Sequence, residues 1–350
     1  MKPHKTTTIQ DIAQLAEVSP ATVARVVHGN GYVSEEKRRM IQRAIDELGY
    51  VPNKVAQGLR NRKTGLIGHV LPLPDDNPFF SRIGAALTEE AHLRGYHVLT
   101  VVSGNAAKER ALVEDLCGLM VEAIVFTAQT YCESALVEWV LSRGIPVVMI
   151  ERPRGIAGVD AVLLDSLEGA RLAAEHFVAM GHRDVGYIGA HPSRDQVETN
   201  RLNGFVQTLC AHQLSIPPRW LQFTADYTAE WGYRATERIL SKGAPPSAVF
   251  VTSDLLALGA LQCLHDHGLH VPEDVSLIGY DNTLSALSTP PLTTVELHPA
   301  LVARTAIDMV LERTKDQRQG AKTVALSPVL IERRSVRNLH GFPCDHTSGL

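Results

Sequence analysis

The sequence predicts an α/β protein in which a small three-helix domain precedes a core of two doubly wound parallel-sheet subdomains. From residue 65 onward, short apolar runs alternate with amphipathic helical stretches, a rhythm typical of a parallel sheet covered by helices. The rhythm restarts after residues 152–165, and about 270 residues are too many for one sheet unit. The first 50 residues carry helical periodicity only.

The composition indicates a globular protein with several domains. Its 350 residues are 45% hydrophobic, which is enough for more than one core. No stretch approaches the roughly 18 apolar residues that span a bilayer, and residues 1–14 lack the apolar run of a secretory signal. We therefore expect a cytoplasmic protein with no membrane partner. The five cysteines lie far apart and form no C-x-x-C pair, so neither a disulfide framework nor a zinc site is indicated.

Charge is distributed unevenly along the chain. Residues 1–64 contain 11 Lys and Arg against 6 Asp and Glu, whereas the remaining chain contains 23 against 32. We call the basic N-terminal part of the chain the head. A basic domain joined to an acidic one is expected when the basic domain binds a polyanion such as nucleic acid and the acidic one has another function. Charge alone does not distinguish this from an ordinary small basic domain.

Local signals divide the head into three helices. Thr8 is a suitable N-cap for residues 9–16, where apolar side chains recur at helical spacing. Ser19 is the expected N-cap of a second helix over residues 20–27, because Pro20 fits the first helical position, where no N–H is needed. The apolar side chains of these two helices are expected to share one core with a third helix.

The third helix is expected to begin after Ser34 and to end at Gly49. Two helices joined by a tight turn, the second carrying small side chains and an arginine, are typical of a helix-turn-helix. Ala21 is small enough for the second helix to lie deep in a major groove, and Arg25 shares its face at i+4 and can reach a base edge or a phosphate. The alternative interpretation is a three-helix domain that covers the core and does not bind DNA.

The whole head resembles a known family. The segment "TIQDIAQLAEVSPATVARVVHGNGYVSEEKRRMIQRAIDELGYVPNKVAQGLR" is similar to the N-terminal module of the LacI/GalR family of transcription regulators, and the likeness continues through "GHRDVGYIG", "RLNGF" and "VPEDVSLIGYDN". Pro20, Ala21 and Arg25 match the family's base-reading positions. Ala24 and His28 depart from the usual Ser and Asn, so the operator sequence cannot be carried over. The resemblance implies that the head contacts DNA through Thr8, Ser19, Pro20, Ala21, Thr22, Arg25 and His28.

Residues 51–64 have the composition of a short basic segment that is only marginally helical. Isolated helices shorter than about 12 residues are marginal in water, and Gly58 weakens this one further, so we expect folding only on binding. The resemblance implies a hinge helix that enters the minor groove beside its dimer mate, with Leu59 wedged between base pairs. A plain basic linker is the alternative. The hinge contacts implied by the family are Asn53, Val55, Ala56 and Leu59.

The resemblance also implies the organisation of the core, which looks like that of periplasmic sugar-binding proteins with crossover strands. We expect a helix-turn-helix domain over 1–50, the hinge over 51–64, the core over 65–337 and a tail over 338–350. Within the core, the first subdomain is expected to comprise about 65–162 and 292–323. The second is expected to comprise about 163–291 and 324–337.

Ligands of such sheets bind beyond the carboxyl ends of the strands, here in the cleft between the subdomains. The polar and aromatic residues that follow the strands suit a sugar, because carboxylates and guanidinium groups bind hydroxyl pairs and aromatic rings cover apolar faces. Arg201 matches the family's effector-gripping arginine and Asp281 its acidic counterpart; an ordinary salt bridge between them is the alternative. Asp254 is expected to cap a helix over 255–267 rather than to contact ligand. The resemblance implies effector contacts at Phe79, Phe80, Glu151, Arg201, Tyr227, Ser253 and Asp281.

We therefore expect a homodimeric transcription regulator, a repressor, that binds a near-palindromic double-stranded operator and a small-molecule effector, most simply a sugar or sugar derivative. No nucleophile, phosphate-binding or dinucleotide motif is present, so we expect no catalytic residues, no cofactor, no metal and no enzymatic activity. The tail lacks leucine heptads, which favours a dimer over a tetramer. A sugar-binding receptor or an enzyme on a related core, without DNA binding, is the alternative. Whether the effector induces or corepresses stays open.

Overall fold

The computed structural model describes residues 7–28, 30–51, 63–71, 78–127, 134–151, 156, 158–315, 318 and 320–340. The chain forms two compact units, Met1–Thr64 and Gly65–Leu350. In the part of the chain that the structure describes, no helix is both long enough and apolar enough to cross a bilayer.

The first unit contains the three predicted helices: α1 (Ile9–Leu15), α2 (Pro20–His28) and α3 (Glu35–Leu48). Thr8 and Asp11 form a capping box at the start of α1. Ser19 caps α2, because its Oγ accepts a hydrogen bond from the Thr22 N–H at 3.2 Å. Gly49 ends α3 with a φ of 58°, a left-handed conformation that favours glycine. Ser34 stands at the N-cap of α3, but its side chain makes no capping hydrogen bond.

The core of this unit is small. Ile12, Val23 and Ile41, one from each helix, are fully buried. Leu15 and Met40 fit the helical periodicity of α1 and α3, but they are 44% and 40% exposed. Three short helices can bury only a narrow strip of side chains on each helix. Residues at the edge of an apolar stripe therefore remain in contact with water.

The second unit contains two lobes, each built on a six-stranded sheet. The first sheet is fully parallel, with strand order β11-β5-β4-β3-β1-β2. Its strands are β1 (Leu66–Leu71), β2 (His97–Val102), β3 (Ala123–Thr127), β4 (Val147–Ile150), β5 (Asp160–Leu164) and β11 (Thr323–Leu326). The helices of this lobe are α4 (Pro78–Leu93), α5 (Ala106–Gly118), α6 (Ser134–Leu141) and α11 (Pro299–Thr314).

The second sheet has strand order β12-β10-β9-β8-β6-β7 and is parallel except for β12, which runs antiparallel to β10. Its strands are β6 (Val185–Ala190), β7 (Leu221–Thr224), β8 (Ala248–Val251), β9 (Ser276–Tyr280), β10 (Thr293–Glu296) and β12 (Val329–Ile331). The helices of this lobe are α7 (Ser166–Ala179), α8 (Gln196–Ala211), α9 (Ala229–Leu240) and α10 (Asp254–Asp266), with a short 3₁₀ turn at Pro218–Trp220.

The chain passes between the lobes three times. It leaves the first sheet after β5 ends at Leu164, leaves the second after β10 ends at Glu296, and leaves the first again after β11 ends at Leu326. We had expected the chain to cross after residues 162, 291 and 323, and in the structure each crossing comes a few residues later than that. An apolar run predicts a strand, but the sheet that the strand joins depends on pairing partners far away in the chain.

Candidate ligand site and nucleic-acid interface

Helix α2 presents a polar, basic face above an apolar one. Pro20, Ala21 and Arg25 are exposed, whereas Val23 on the opposite side is fully buried against α1 and α3. Small residues at the N-terminal end of such a helix let it approach a groove floor closely, and an exposed guanidinium can reach a base or phosphate. Helix α2 therefore has the surface that DNA reading requires.

The remaining head residues predicted to contact DNA differ in their burial and in the hydrogen bonds that their side chains make within the protein. The hydroxyls of Ser19 and Thr22 lie 2.8 Å apart and bond to each other. Thr8 is exposed, and its hydroxyl bonds to the carboxylate of Asp11 at 2.7 Å. His28 is half-buried at the end of α2. The four hinge positions lie outside the described residues: Asn53, Val55, Ala56 and Leu59.

Arg201, on α8 in the second lobe, is the centre of a buried polar cluster, with only 7% of its surface exposed. Its Nη1 donates to Glu198 Oε1 and to the Thr252 carbonyl oxygen, both at 3.0 Å. Its Nη2 lies 4.0 Å from Asp281 Oδ1, and its guanidinium carbon lies 4.1 Å from the ring centre of Tyr280. The predicted pair of Arg201 and Asp281 is thus brought together beyond the carboxyl ends of β8 and β9.

Glu198 is a member of this cluster that was not predicted from the sequence. It is fully buried, and its Oε1 accepts hydrogen bonds from Arg201 and from the Tyr227 hydroxyl. Burial raises the pKa of Glu198, although the charge of Arg201 opposes the rise. Glu198 precedes Arg201 by three positions on α8, so helical spacing alone could have placed it on the same face.

The turn after β9 holds Asp281 in place through Asp254. Asp281 and Asn282 adopt positive φ values of 94° and 49°. The Asp254 carboxylate accepts from the Thr283 N–H at 2.7 Å and from the Thr294 hydroxyl at 2.7 Å. Since a Cβ at Gly279 would lie 2.5 Å from Asp254 Oδ1, the approach of this carboxylate requires glycine there.

The interpretation of Asp254 as a helix cap was wrong. Ser253 is the N-cap of α10, and its Oγ accepts from the Leu255 N–H at 3.3 Å, whereas Asp254 is the first helical residue. Ser253 is fully buried and uses its side chain for the cap, although it lies next to Thr252, whose carbonyl accepts from Arg201. A short polar residue followed by an acid predicts a helix start without showing which of the two side chains turns back onto the helix.

Glu151 stands at the carboxyl end of β4 in the first lobe, with a positive φ of 62°. Its Oε1 accepts from the Leu164 N–H at 2.7 Å. Burial raises the pKa of Glu151 to about 7, while the Leu164 N–H and the positive charge of Arg201 act in the opposite direction. Glu151 is therefore electrostatically coupled to the Arg201 cluster from the other lobe.

The predicted stacking aromatics have three different environments. Phe79 is buried in the hydrophobic core, and Phe80 is half-buried beside it, with ring centres 5.5 Å apart in an edge-to-face arrangement. Tyr227 belongs to the Arg201 cluster through its bond to Glu198, and the guanidinium carbon of Arg194 lies 5.0 Å from its ring centre. Of these three side chains, Tyr227 is the one whose hydroxyl bonds to the buried Arg201 cluster.

Arg82, on α4 of the first lobe, bonds directly to the second lobe. Its Nη1 donates to the Asn282 carbonyl at 2.7 Å and its Nη2 to the Thr283 carbonyl at 2.6 Å. These carbonyls belong to the turn that carries Asp281. The position of one lobe is therefore coupled to the geometry of a candidate ligand residue on the other, a contact over 200 positions that the sequence pattern did not reveal.

The described residues contain no group of three or more His, Cys, Asp or Glu side chains able to hold a metal ion. The two nitrogens of the His182 ring face the Ser247 hydroxyl and the Arg337 carbonyl, each at 3.0 Å.

Comparison with known proteins identifies the family. Residues 8–53 match the lacI family of bacterial regulatory proteins, and residues 174–336 match the periplasmic binding protein-like domain. The chain is 35% identical over 335 residues to the HTH-type transcriptional repressor PurR of Escherichia coli O139:H28 (strain E24377A / ETEC), covering 94% of this chain and 96% of the relative. The chain belongs to the LacI family of transcription regulators.

Solved structures of LacI-family proteins share this fold. The Lac repressor dimer bound to operator and the anti-inducer ONPF superposes with a TM-score of 0.83 at 28% identity, covering 95% of this chain and 100% of that one. The complex of the transcriptional regulator CelR with cellobiose gives a TM-score of 0.71 at 28% identity, covering 94% and 99%.

Family membership confirms the predicted fold class and the predicted function at its coarser level. The protein is a DNA-binding transcription regulator controlled by a small-molecule effector, and its relatives are transcriptional repressors rather than enzymes. The alternative of a sugar-binding receptor or an enzyme without DNA binding is set aside by these matches.

Proposed function

We propose that the protein is a repressor that binds a near-palindromic operator as a homodimer and that a sugar-like molecule, bound between the two lobes of the core, controls this binding. Operator DNA lies in the cytoplasm, and the protein acts there. The observation that carries the ligand half of the proposal is the buried Arg201–Asp281–Glu198 cluster beyond the strand ends of the second sheet.

Operator recognition is assigned to α2. Pro20, Ala21 and Arg25 read base edges, while Thr22 contacts a phosphate; Thr8, Ser19 and His28 lie at flanking contact positions. Two-fold symmetry of a homodimer places two such helices in successive major grooves and requires a near-palindromic site. The proposed head spans residues 1–50, and the proposed core and tail span 65–337 and 338–350.

Residues 51–64 are assigned as the hinge. Asn53, Val55, Ala56 and Leu59 contact the minor groove when two copies pair there, and Leu59 is the wedge that opens a base step. A ligand that prefers one arrangement of the lobes changes how the two hinges pair. Such coupling changes DNA affinity by typically 1–3 kcal/mol.

The effector contacts are assigned to Arg201, Asp281, Tyr227, Glu151 and Phe80. Phe79, in the hydrophobic core, and Ser253, at a helix N-cap, are assigned as supporting residues of the same site. CelR, with a TM-score of 0.71, is described in complex with cellobiose, which supports a carbohydrate class of ligand. Guanidinium and carboxylate groups together form the hydrogen-bonding set that adjacent sugar hydroxyls require.

The test of the DNA-binding half is a gel-shift titration with DNA from upstream of the protein's own gene. We expect salt-sensitive binding, with log affinity falling linearly against log salt. Arg25→Ala is expected to weaken it, whereas Arg110→Ala, which removes a partly exposed arginine paired with Glu114 on α5 of the core, leaves it unchanged. Equal loss in both variants, or no salt-sensitive binding to any promoter fragment, would refute the assignment.

The sign of control is tested by adding carbohydrates to the same gel shift. An inducer releases the DNA, whereas a corepressor tightens binding. Thermal-shift screening of a carbohydrate panel identifies the ligand first, because a molecule that binds only the folded state raises the melting temperature.

A further inference from the structure

The Arg201 cluster contains more buried acid than base. Glu198 Oε1 lies 3.0 Å and Asp281 Oδ1 4.0 Å from the guanidinium nitrogens of Arg201, and Glu151 couples to the same charge from the other lobe. Two buried carboxylates thus lie within 4.0 Å of one guanidinium. Both terminal nitrogens of Arg201 are already directed at protein acceptors.

Two other arginines near the cluster are also engaged with the protein. Arg194 lies against the ring of Tyr227, donates to the Ala225 carbonyl and stands 3.7 Å from Asp226. Arg82 donates both terminal nitrogens to backbone carbonyls of the 282–283 turn. The guanidinium groups of Arg194 and Arg82 are therefore committed to protein acceptors rather than free to neutralise an incoming anion.

Glu198 Oε2 and Arg201 Nε are buried polar atoms without a hydrogen-bond partner among the described residues, as are the hydroxyls of Tyr280 and Thr252 in the same cluster. The first is an acceptor and the second a donor, on side chains that contact each other. A buried polar group without a partner is costly, so these atoms indicate a polar molecule that bonds to them. One hydroxyl can donate to Glu198 Oε2, and a neighbouring hydroxyl can accept from Arg201 Nε.

We infer that the site takes an uncharged, hydroxyl-rich effector and discriminates against sugar phosphates and sugar acids, with Glu198 as a direct ligand contact that determines this specificity. This inference rests on the proposed function. A phosphate or carboxylate would add a negative charge beside Glu198, Asp281 and Glu151, and unfavourable charge is an efficient way to exclude a ligand of otherwise similar shape.

The experiment uses the full-length protein and matched triplets of probes: D-glucose, glucose 6-phosphate and gluconate; D-ribose, ribose 5-phosphate and ribonate; and the corresponding galactose set. Melting temperature and calorimetric Kd are measured for each. We expect at least one neutral sugar to bind and its two anionic counterparts to bind at least tenfold more weakly. An anionic member that binds as tightly as its neutral counterpart, or a panel in which no neutral sugar binds, overturns the inference.

Glu198→Gln tests the direct contact. It keeps the shape of the side chain but weakens the acceptor, and we expect at least a tenfold loss of affinity for the neutral sugar. Glu230→Gln, an exposed residue of α9 paired with Arg234, removes one negative charge elsewhere and should leave the Kd unchanged. Unchanged sugar affinity in Glu198→Gln means that only water fills the space beside Oε2, and this overturns the assignment.

Operator binding without sugar separates this inference from the proposed function. A Glu198→Gln protein that still shifts operator DNA is folded, so its loss of sugar affinity is specific. Wild-type protein that binds operator but responds to a sugar phosphate keeps the regulator assignment and refutes the charge selectivity. Absence of operator binding refutes the regulator assignment whatever the sugar results.

Discussion

Arg25 on α2 and Arg201 on α8 are two candidate functional arginines in opposite environments. Arg25 is exposed on a helix whose other face is buried, whereas Arg201 is buried among two carboxylates, a backbone carbonyl and an aromatic ring. An exposed charge is screened by salt and acts on a charged partner that arrives from outside. A buried charge is already neutralised by the protein, so it selects ligands by hydrogen-bond geometry and by the balance of local charge.

The largest effect is expected from Arg201→Ala. Removing the cation takes an ion-pair partner from buried Glu198 and a neighbouring positive charge from buried Asp281, and breaking a buried ion pair in this way costs about 3–5 kcal/mol. Chemical unfolding of the core should report this loss, and the ligand response should disappear. Wild-type stability in this variant would mean that Arg201 is not the charge that neutralises the cluster.

Arg25→Ala should have the reverse pattern. Loss of a base-edge contact costs about 1–3 kcal/mol of operator affinity, while a lost phosphate contact reduces the salt slope by about one. Core unfolding and sugar binding should not change, because Arg25 makes no contribution to the buried core. A gel-shift series at several salt concentrations, with Arg110→Ala as the control, distinguishes the two kinds of contact. A variant that loses sugar binding as well would break the contrast between the two arginines.

Ser19→Ala should affect the head through its local structure. The Ser19 hydroxyl caps α2 and bonds to Thr22, and loss of an N-cap side chain typically costs about 1 kcal/mol. The expected result is a lower melting temperature of residues 1–64, measured by circular dichroism at the helical signal. Ser34→Ala is the matched control, because Ser34 stands at an N-cap without a side-chain hydrogen bond. Equal effects in both variants would show that the cap bond of Ser19 contributes nothing.

The smallest effect is expected at Glu151, which is half-buried and keeps a backbone hydrogen bond. Its pKa of about 7 in the folded state lies above the ordinary value of 4.5 for a glutamate side chain, so between these values the folded state retains a proton that the unfolded chain has released. The stabilising contribution is therefore full below pH 4.5 and is lost as the pH rises to 7 and beyond. Glu151→Gln should be more stable than wild type at pH 8 and equal to it at pH 4.5. Thermal melts at both pH values test this, and a constant difference between them would contradict the cause given.

The head was predictable because its signals are local. Thr8 and Ser19 bond to N–H groups three residues later, and Gly49 ends α3 through its own left-handed conformation, so a short window contains every partner. Arg201 was identified by resemblance, Asp281 both by resemblance and by its place directly after an apolar strand, and the structure brings them together. The same resemblance gave no indication of Glu198, although helical spacing from Arg201 could have done so.

The sequence by itself determined the three helices of the head, the alternation of strands and helices in the core and which family the chain belongs to, because caps, periodicity and motifs act over a few residues. Only the tertiary structure decided which sheet Thr293–Glu296 joins, that Asp254 holds a turn 29 positions away, and that Arg82 bonds to carbonyls 200 positions away. These contacts depend on how the chain is routed between the two lobes. Routing is the joint result of many distant packing contacts, so no short stretch of residues encodes it.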